Sequence, residues 1–270
     1  MIAPPDTTAP DVAAPRPRRT VGSFSRAGPR ARTRALARAG CACLVVIGLA
    51  ATTAHAATGV SVFPIVQPYS LGAHSKATIS LRFFGGANGV PAPLRGLVLR
   101  LPAGLGVDLS GVATCPTASL RARGAAGCPG GSLIGRGRAT LEVHAGSQTL
   151  PESAAVSVFR APDRGGHRAF AIYGHGQTPL DETTISTAIL LGDSPPYGSK
   201  LVVAVPPVPT LTFEPDASYT TLSLTIGGNA RAPSPIVIPS HCPRAGFAFA
   251  ASFSFAGGAH AGESGRLPCP

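Results

Sequence analysis

An alternation of apolar and polar residues with a period of two recurs along the chain and constrains its fold more than any other feature. Within 77–83, Ile79, Leu81 and Phe83 are separated by threonine, serine and arginine. Comparable alternation recurs in 97–101, 139–143, 156–158, 170–172, 185–191, 201–205, 221–226 and 247–255. Because successive side chains of a β-strand point to opposite faces, this pattern predicts half-buried antiparallel strands.

Glycine and proline lie between these apolar runs, where turns are expected. They are concentrated in 85–89, 162–166, 194–198 and 227–229, and such residues tolerate positive φ or preset a turn. About 10–12 strands at this spacing predict an all-β fold, namely an antiparallel β-sandwich of Ig-like or jelly-roll-like type, with a closed barrel as the alternative. The one helical candidate is 113–126, where a short turn would carry Leu120.

The beginning of the chain differs in kind from the rest. Residues 1–38 contain eight arginines against Asp6 and Asp11, and they show no apolar periodicity. We interpret them as a basic disordered leader. The uncharged apolar residues that follow are of the kind found in the hydrophobic region of a secretory signal peptide.

Residues 39–56 are interpreted as that hydrophobic segment with its cleavage site. They close with Ala54 and Ala56, the small residues of an A-x-A exit, so we predict cleavage between Ala56 and Ala57. The 16 uncharged residues 39–54 are fewer than the roughly 20 that cross a bilayer as a helix. An uncleaved anchor remains the alternative, and it would be the only membrane contact. Residues 57–270 then form a single β-sandwich domain.

The net charge of +11 is concentrated at the start of the chain. After residue 38 there remain 15 Lys and Arg against 10 Asp and Glu, a net charge of +5 spread singly along the sequence. Nucleic-acid binders concentrate Lys and Arg on one face, so we exclude nucleic acid as a partner. The mild positive charge favours an anionic polymer of the cell envelope, or an unknown envelope protein, as the partner.

Four cysteines remain after the predicted cleavage, at Cys115, Cys128, Cys242 and Cys269. An even number in an exported chain indicates disulfides. Three pairings are possible, and we favour the sequential one, Cys115–Cys128 and Cys242–Cys269, because it closes the shortest loops. A zinc site needs closely spaced C-x2–4-C pairs, whereas 12, 113 and 26 residues separate these cysteines.

The stretch Ile189–Ser194 resembles the nucleophile block of GDSL-type esterases. Such chemistry needs a histidine held by an aspartate, and no D-x-x-H follows; the only downstream aspartate is Asp216, which has no histidine close by. We therefore predict a strand that ends in a Gly-Asp-Ser-Pro-Pro turn. A serine hydrolase with a non-local site around Ser194 stays the alternative function.

No other motif predicts a catalytic, metal or cofactor site. The histidines form no metal-ligand spacing, and Gly135-Arg136-Gly137-Arg138 precedes a strand rather than a helix, so we interpret its glycines as a bulge or close packing. The carboxylate pairs Asp181-Glu182 and Glu214/Asp216 are interpreted as turn residues. Tryptophan is absent and the phenylalanines alternate as core residues do, which leaves only tyrosines as sugar platforms.

Three segments resemble those of a group of exported, disulfide-containing β-rich proteins of high-GC bacteria, to which no activity is assigned. They are Cys115-Pro116 with 127–137, the segment 196–201, and the ending that joins His241-Cys242-Pro243 to 267–270. In that group a C…CP-x-x-S-x-I-G-x-G segment precedes a strand, and a CP…PC pair closes the chain. The resemblance covers most of 60–270 and implies export, strands and two local disulfides.

These observations predict a secreted or envelope-associated domain that is not an enzyme and carries no cofactor. Its expected role is binding or scaffolding at the cell envelope or extracellular surface, since rigid sheets present loops without needing a catalytic cleft.

Overall fold

The computed structural model describes residues 58–86, 89–178, 180–210, 212–228 and 234–270. The leader, the signal segment and the cleavage residues Ala54, Ala56 and Ala57 lie outside the described residues. All described residues belong to one compact unit, Thr52–Pro270.

The described chain consists mainly of strands. They are β1 Thr58–Gln67, β2 His74–Gly85, β3 Leu94–Pro102, β4 Gly106–Val107, β5 Leu133–Ala145, β6 Gln148–Arg164, β7 His167–Thr178, β8 Thr183–Gly192, β9 Tyr197–Ala204, β10 Ser218–Ile226, β11 Ile236–Val237, β12 Phe247–Phe255 and β13 His260–Leu267. The one α-helix among the described residues is α1, Thr117–Arg123, in the stretch where a helical turn is predicted. The helices of the described chain are all too short or too polar to cross a membrane.

Every strand pairing is antiparallel, and the strands form one continuous sheet. Its order is β13-β12-β3-β9-β8-β7-β6-β5-β10-β2-β11-β4, and β1 pairs with β2. The all-β antiparallel fold predicted from the period-two pattern is confirmed. The described part contains 13 strands rather than 10–12. Four of them, β1, β13 and the two-residue strands β4 and β11, correspond to none of the alternating runs named above.

The sheet curls so that its two ends face each other. Phe83 of β2 meets Phe253 of β12 edge to face, with ring centroids 5.6 Å apart, although β2 and β12 lie near opposite ends of the strand order. The edge strands β1 and β13 are neighbours, where the backbone N–H of Val62 donates to the carboxylate of Glu263. The inward residues of each end therefore bury one another.

Inward residues of the middle strands complete the interior. Val158, Phe170, Ala188 and Val203, from four consecutive strands of the sheet, form one buried cluster. The opposite face of β6 and β7 is also covered, because Phe159 packs there with α1 and the cysteine beside it. The members of that outer cluster are Cys115, Leu120, Phe159, Ala161, Ala169 and Ala171.

Two disulfides fix the ends of loops against this sheet. Cys115–Cys128 has a Cα–Cα distance of 5.3 Å and closes the segment that contains α1. Cys242–Cys269 has a Cα–Cα distance of 5.8 Å and joins the tail after β13 to the segment before β12. The predicted sequential pairing is confirmed.

Gly135 and Gly137 allow β5 to approach β10 closely. A Cβ at Gly137 would lie 2.1 Å from the carbonyl oxygen of Ser223, and one at Gly135 would lie 2.8 Å from that of Thr225. The register between β5 and β6 also shifts beside Gly135. The interpretation of these glycines as bulge and close-packing residues is confirmed.

We expect removal of the Cys115–Cys128 bridge by Cys115→Ser with Cys128→Ser to lower the free energy of unfolding by about 3 kcal/mol, and of Cys242–Cys269 by about 3.5 kcal/mol. The second bridge contributes more because closing a longer loop removes more conformational entropy from the unfolded chain. Urea unfolding of the oxidised variants, with the oxidised wild type as the reference, measures both. Variants as stable as the oxidised wild type would contradict the expectation.

Candidate ligand-binding cavity

The two facing parts of the sheet do not touch everywhere, and a cavity of about 200 Å³ lies between them. Inward side chains of both parts form its walls. They include Val62, Ile79, Leu99, Leu101, Phe170, Leu190, Leu201, Ile226, Phe247 and Phe249. The cavity therefore arises where strands distant in sequence are brought face to face.

The walls offer almost no polar groups. Among the lining residues only Tyr69 and Thr78 carry a side-chain hydroxyl, and no lining residue is charged. The Tyr69 hydroxyl donates to the carbonyl of Pro268, and Thr78 Oγ1 lies 2.8 Å from Thr225 Oγ1. Burial raises the pKa of the Tyr69 phenol. A polar ligand group inside would lose its hydrogen bonds to water without replacement.

One end of the cavity reaches the surface beside Ile65. Ile65 lines the cavity and is also 53% exposed. Tyr69 and Leu267 line it as well, and the hydrogen bond from Tyr69 to Pro268 links the β1–β2 loop to the tail that Cys242–Cys269 anchors. The opening is thus bounded by the end of β1, the following loop and the anchored C-terminal tail.

An empty apolar cavity of this size is unfavourable. The lining side chains lack the packing contacts that a filled interior would give them. At about 30 Å³ per water-sized group, the space accepts roughly seven methylene groups. An apolar occupant of that size would restore the missing packing contacts.

Ser194 lies in a turn between β8, which ends at Gly192, and β9, which begins at Tyr197. Its backbone N–H donates to Asp193 Oδ1 at 2.9 Å, and none of the described histidines lies within hydrogen-bonding distance of its hydroxyl. The carboxylate of Asp193 is 6% exposed and approaches Arg100 at 3.2 Å. The predicted strand-then-turn is confirmed, and the contacts of Ser194 offer the hydrolase alternative no base.

The structure does not bring the remaining candidate metal and catalytic residues from the sequence together in one site. The described residues include no group of three or more His, Cys, Asp or Glu side chains that could hold a metal ion. Glu214 accepts a hydrogen bond from the backbone of Gly146, and Asp216 forms an ion pair with Arg95. Asp181 lies 3.6 Å from His175 at the surface, where its side chain is 87% exposed.

The expectation that the phenylalanines are core residues is wrong for three of them. Phe253 and Phe255 are buried, but Phe63 is 57% exposed, Phe84 48% and Phe213 fully exposed. In β1 and β2, Phe63 and Phe84 are out of phase with the inward residues Val62 and Phe83. The period-two alternation around these two residues is visible in the sequence, and it could have identified both rings as surface aromatics.

Glu152 is a buried carboxylate that sequence reasoning missed, although it is in phase with the inward Ala154 and Val156 of β6. It is 3% exposed and accepts hydrogen bonds from the backbone N–H groups of Gln177 at 2.9 Å and Leu180 at 2.7 Å. The carboxylate therefore ties the connection between β7 and β8 to β6.

Comparisons with known proteins return nothing: no family model, no curated protein and no solved structure matches the chain.

We expect Glu152→Gln to lower the free energy of unfolding by about 2 kcal/mol, because a neutral amide accepts the two buried N–H bonds more weakly than a carboxylate. Glu142→Gln, on the outer face of the neighbouring strand, is the matched control and should change stability by less than about 0.5 kcal/mol. Chemical unfolding at neutral pH measures both. Equal effects of the two substitutions would show that the hydrogen bonds of the Glu152 carboxylate do not stabilise the fold.

Proposed function

We propose that this chain is an exported, non-enzymatic binding domain of the cell envelope or extracellular surface, and that its cavity holds the hydrocarbon chain of an amphiphilic ligand. The observation that carries the proposal is the cavity itself, which is apolar throughout and reaches the surface at one end. Ligand pockets are concave and mostly apolar, with a few polar groups that orient the ligand.

The extracellular location rests on the disulfides and on the beginning of the chain. Two disulfides indicate an oxidising compartment. The apolar segment that ends in Ala54-His55-Ala56 supports export through a signal peptide. The resemblance to exported proteins of high-GC bacteria points in the same direction.

The polarity of the cavity sets the chemistry of the ligand. Hydrocarbon fits the walls, so the polar head of the ligand stays at the opening beside Ile65. Lys76 is exposed on the outer face of β2 and stands opposite Gln67, so it lies at the same end of the β1–β2 pair as the opening without lining the cavity. A cation there favours an anionic head, such as a carboxylate or a phosphate.

We expect the affinity for straight-chain carboxylates to rise about fourfold for each added CH₂, because each buried CH₂ contributes about 0.8 kcal/mol. The increase should stop near eight carbons, since the cavity accepts roughly seven methylene groups. Displacement of the fluorescent probe 1-N-phenylnaphthylamine from the oxidised full chain measures the series. An affinity that keeps rising to sixteen carbons would contradict the proposed volume limit.

Ala77→Phe should reduce probe binding at least tenfold, because Ala77 lines the cavity and a phenyl ring there occupies it. It should also raise the melting temperature of the unliganded protein, since it fills a void. Ala155→Phe is the matched control, because it places the same ring on the outer face of β6. Both variants keep the apolar segment near the start of the chain. Any probe that binds to that segment therefore contributes equally to the two measurements. Equal binding by the two variants would overturn the proposal.

A further inference from the structure

The outer face of strands β1, β2, β10 and β5 carries a second set of exposed groups, on the side opposite the cavity. We call it the aromatic–arginine face and define it by Phe63, Ser80, Arg82, Phe84, Arg138 and Ser223. The side chains of its arginines and phenylalanines are exposed. None of the six has a role in the proposed cavity function, so the inference that follows is independent of it.

Strand register places these groups side by side. On β2, Ser80, Arg82 and Phe84 follow one another on one face at about 7 Å intervals, since every second residue shares a face. Phe63 of β1 stands opposite Ser80. Ser223 of β10 stands between Ser80 and Arg138 of β5. The two rings therefore flank Arg82, and a hydroxyl row leads from them to the second arginine.

Hydrogen bonds order the hydroxyl row. Ser80 Oγ lies 3.2 Å from Ser223 Oγ. Each hydroxyl can accept as well as donate, so a cross-strand pair keeps free capacity for an outside partner. The face thus offers pre-positioned polar groups rather than mobile ones.

The charge on this face is of one sign. Strands β1, β2 and β10 contain no Asp or Glu, and on β5 the first carboxylate on this face is Glu142, four positions beyond Arg138. Arg82 and Arg138 form no ion pair with a described residue. Two guanidinium groups without an acidic neighbour are complementary to an anionic partner, and their planar geometry suits carboxylate oxygens.

The ring of Phe84 lies over Gly59, its neighbour on β1. A Cβ on Gly59 would lie only 2.3 Å from the Phe84 ring, so the ring occupies the space above the backbone of that glycine. The Phe84 side chain is nevertheless 48% exposed, so part of the ring remains accessible. An exposed, fixed aromatic face binds apolar planar surfaces, such as the C–H face of a pyranose ring.

We propose that the aromatic–arginine face binds an acidic polysaccharide whose sugar rings pack on Phe63 and Phe84. Its carboxylates pair with Arg82 and Arg138, and its hydroxyl groups hydrogen-bond to the Ser80–Ser223 row. Arg136 and Lys76 add two exposed cations to the same side of the sheet. The exposed rings and the hydroxyl-rich strands favour a glycan over a nucleic acid, because they match the C–H faces and the hydroxyl groups of sugar rings.

The test measures binding of the oxidised full chain to poly(galacturonic acid), with neutral dextran and single-stranded oligo(dT) as comparison polymers. We expect Arg82→Ala with Arg138→Ala to weaken binding to poly(galacturonic acid) at least tenfold, and Phe63→Ala at least threefold. Gly59→Ala should weaken it as well, because the new methyl group displaces the Phe84 ring.

Matched controls separate the face from general charge. Arg121→Ala with Arg164→Ala removes the same charge from exposed positions elsewhere, and Phe213→Ala removes a fully exposed ring outside the face. Both controls retain the arginine-rich leader and should bind like the wild type. Equal losses in the face and control variants would overturn the proposal, and so would oligo(dT) binding that is tighter than glycan binding and lost in the same face variants.

Discussion

The fold depends on the contact between the two ends of one sheet. A sheet with one apolar face must bury that face against another layer, and the single described helix covers only the outer side of β6 and β7. The sheet therefore curls until β2 meets β12, where Phe83 and Phe253 pack edge to face. The interior, the cavity and the polar outer surface all follow from that closure, since each is defined by which side of the curled sheet a residue faces.

The closure also explains why the two candidate binding regions differ so sharply in chemistry. On β2 alone, Ile79 lines the apolar cavity while its neighbour Ser80 belongs to the aromatic–arginine face. Period-two geometry lets one strand serve both sides without conflict. The walls of the cavity are almost entirely apolar, which is the basis for proposing a hydrocarbon ligand, whereas the exposed arginines of the outer face are the basis for proposing an anionic one. The two proposed sites lie on opposite sides of the sheet, so the proposals do not depend on each other.

The sequence predicts what is local and leaves open what depends on distant neighbours. The β8 strand and its turn at Ser194, α1 around Leu120 and the disulfide pairing each depend on nearby residues, and each was predicted. The cavity was not, because the alternation says which side chains point inward but not which strands face each other. Phe63, Phe84 and Glu152 were missed because the alternation was not followed through β1, β2 and β6, where it places the rings outside and the carboxylate inside.

Glu263 has a consequence for association between copies of the chain. Among the described residues β1 pairs only with β2, so its other side is a sheet edge of the kind that recruits further strands. The Glu263 carboxylate occupies the N–H of Val62 on that edge, and an incoming strand would have to displace a charged acceptor to pair there. The contact between β1 and β13 therefore leaves the Val62 N–H of this edge unavailable to an incoming strand, which disfavours strand addition there.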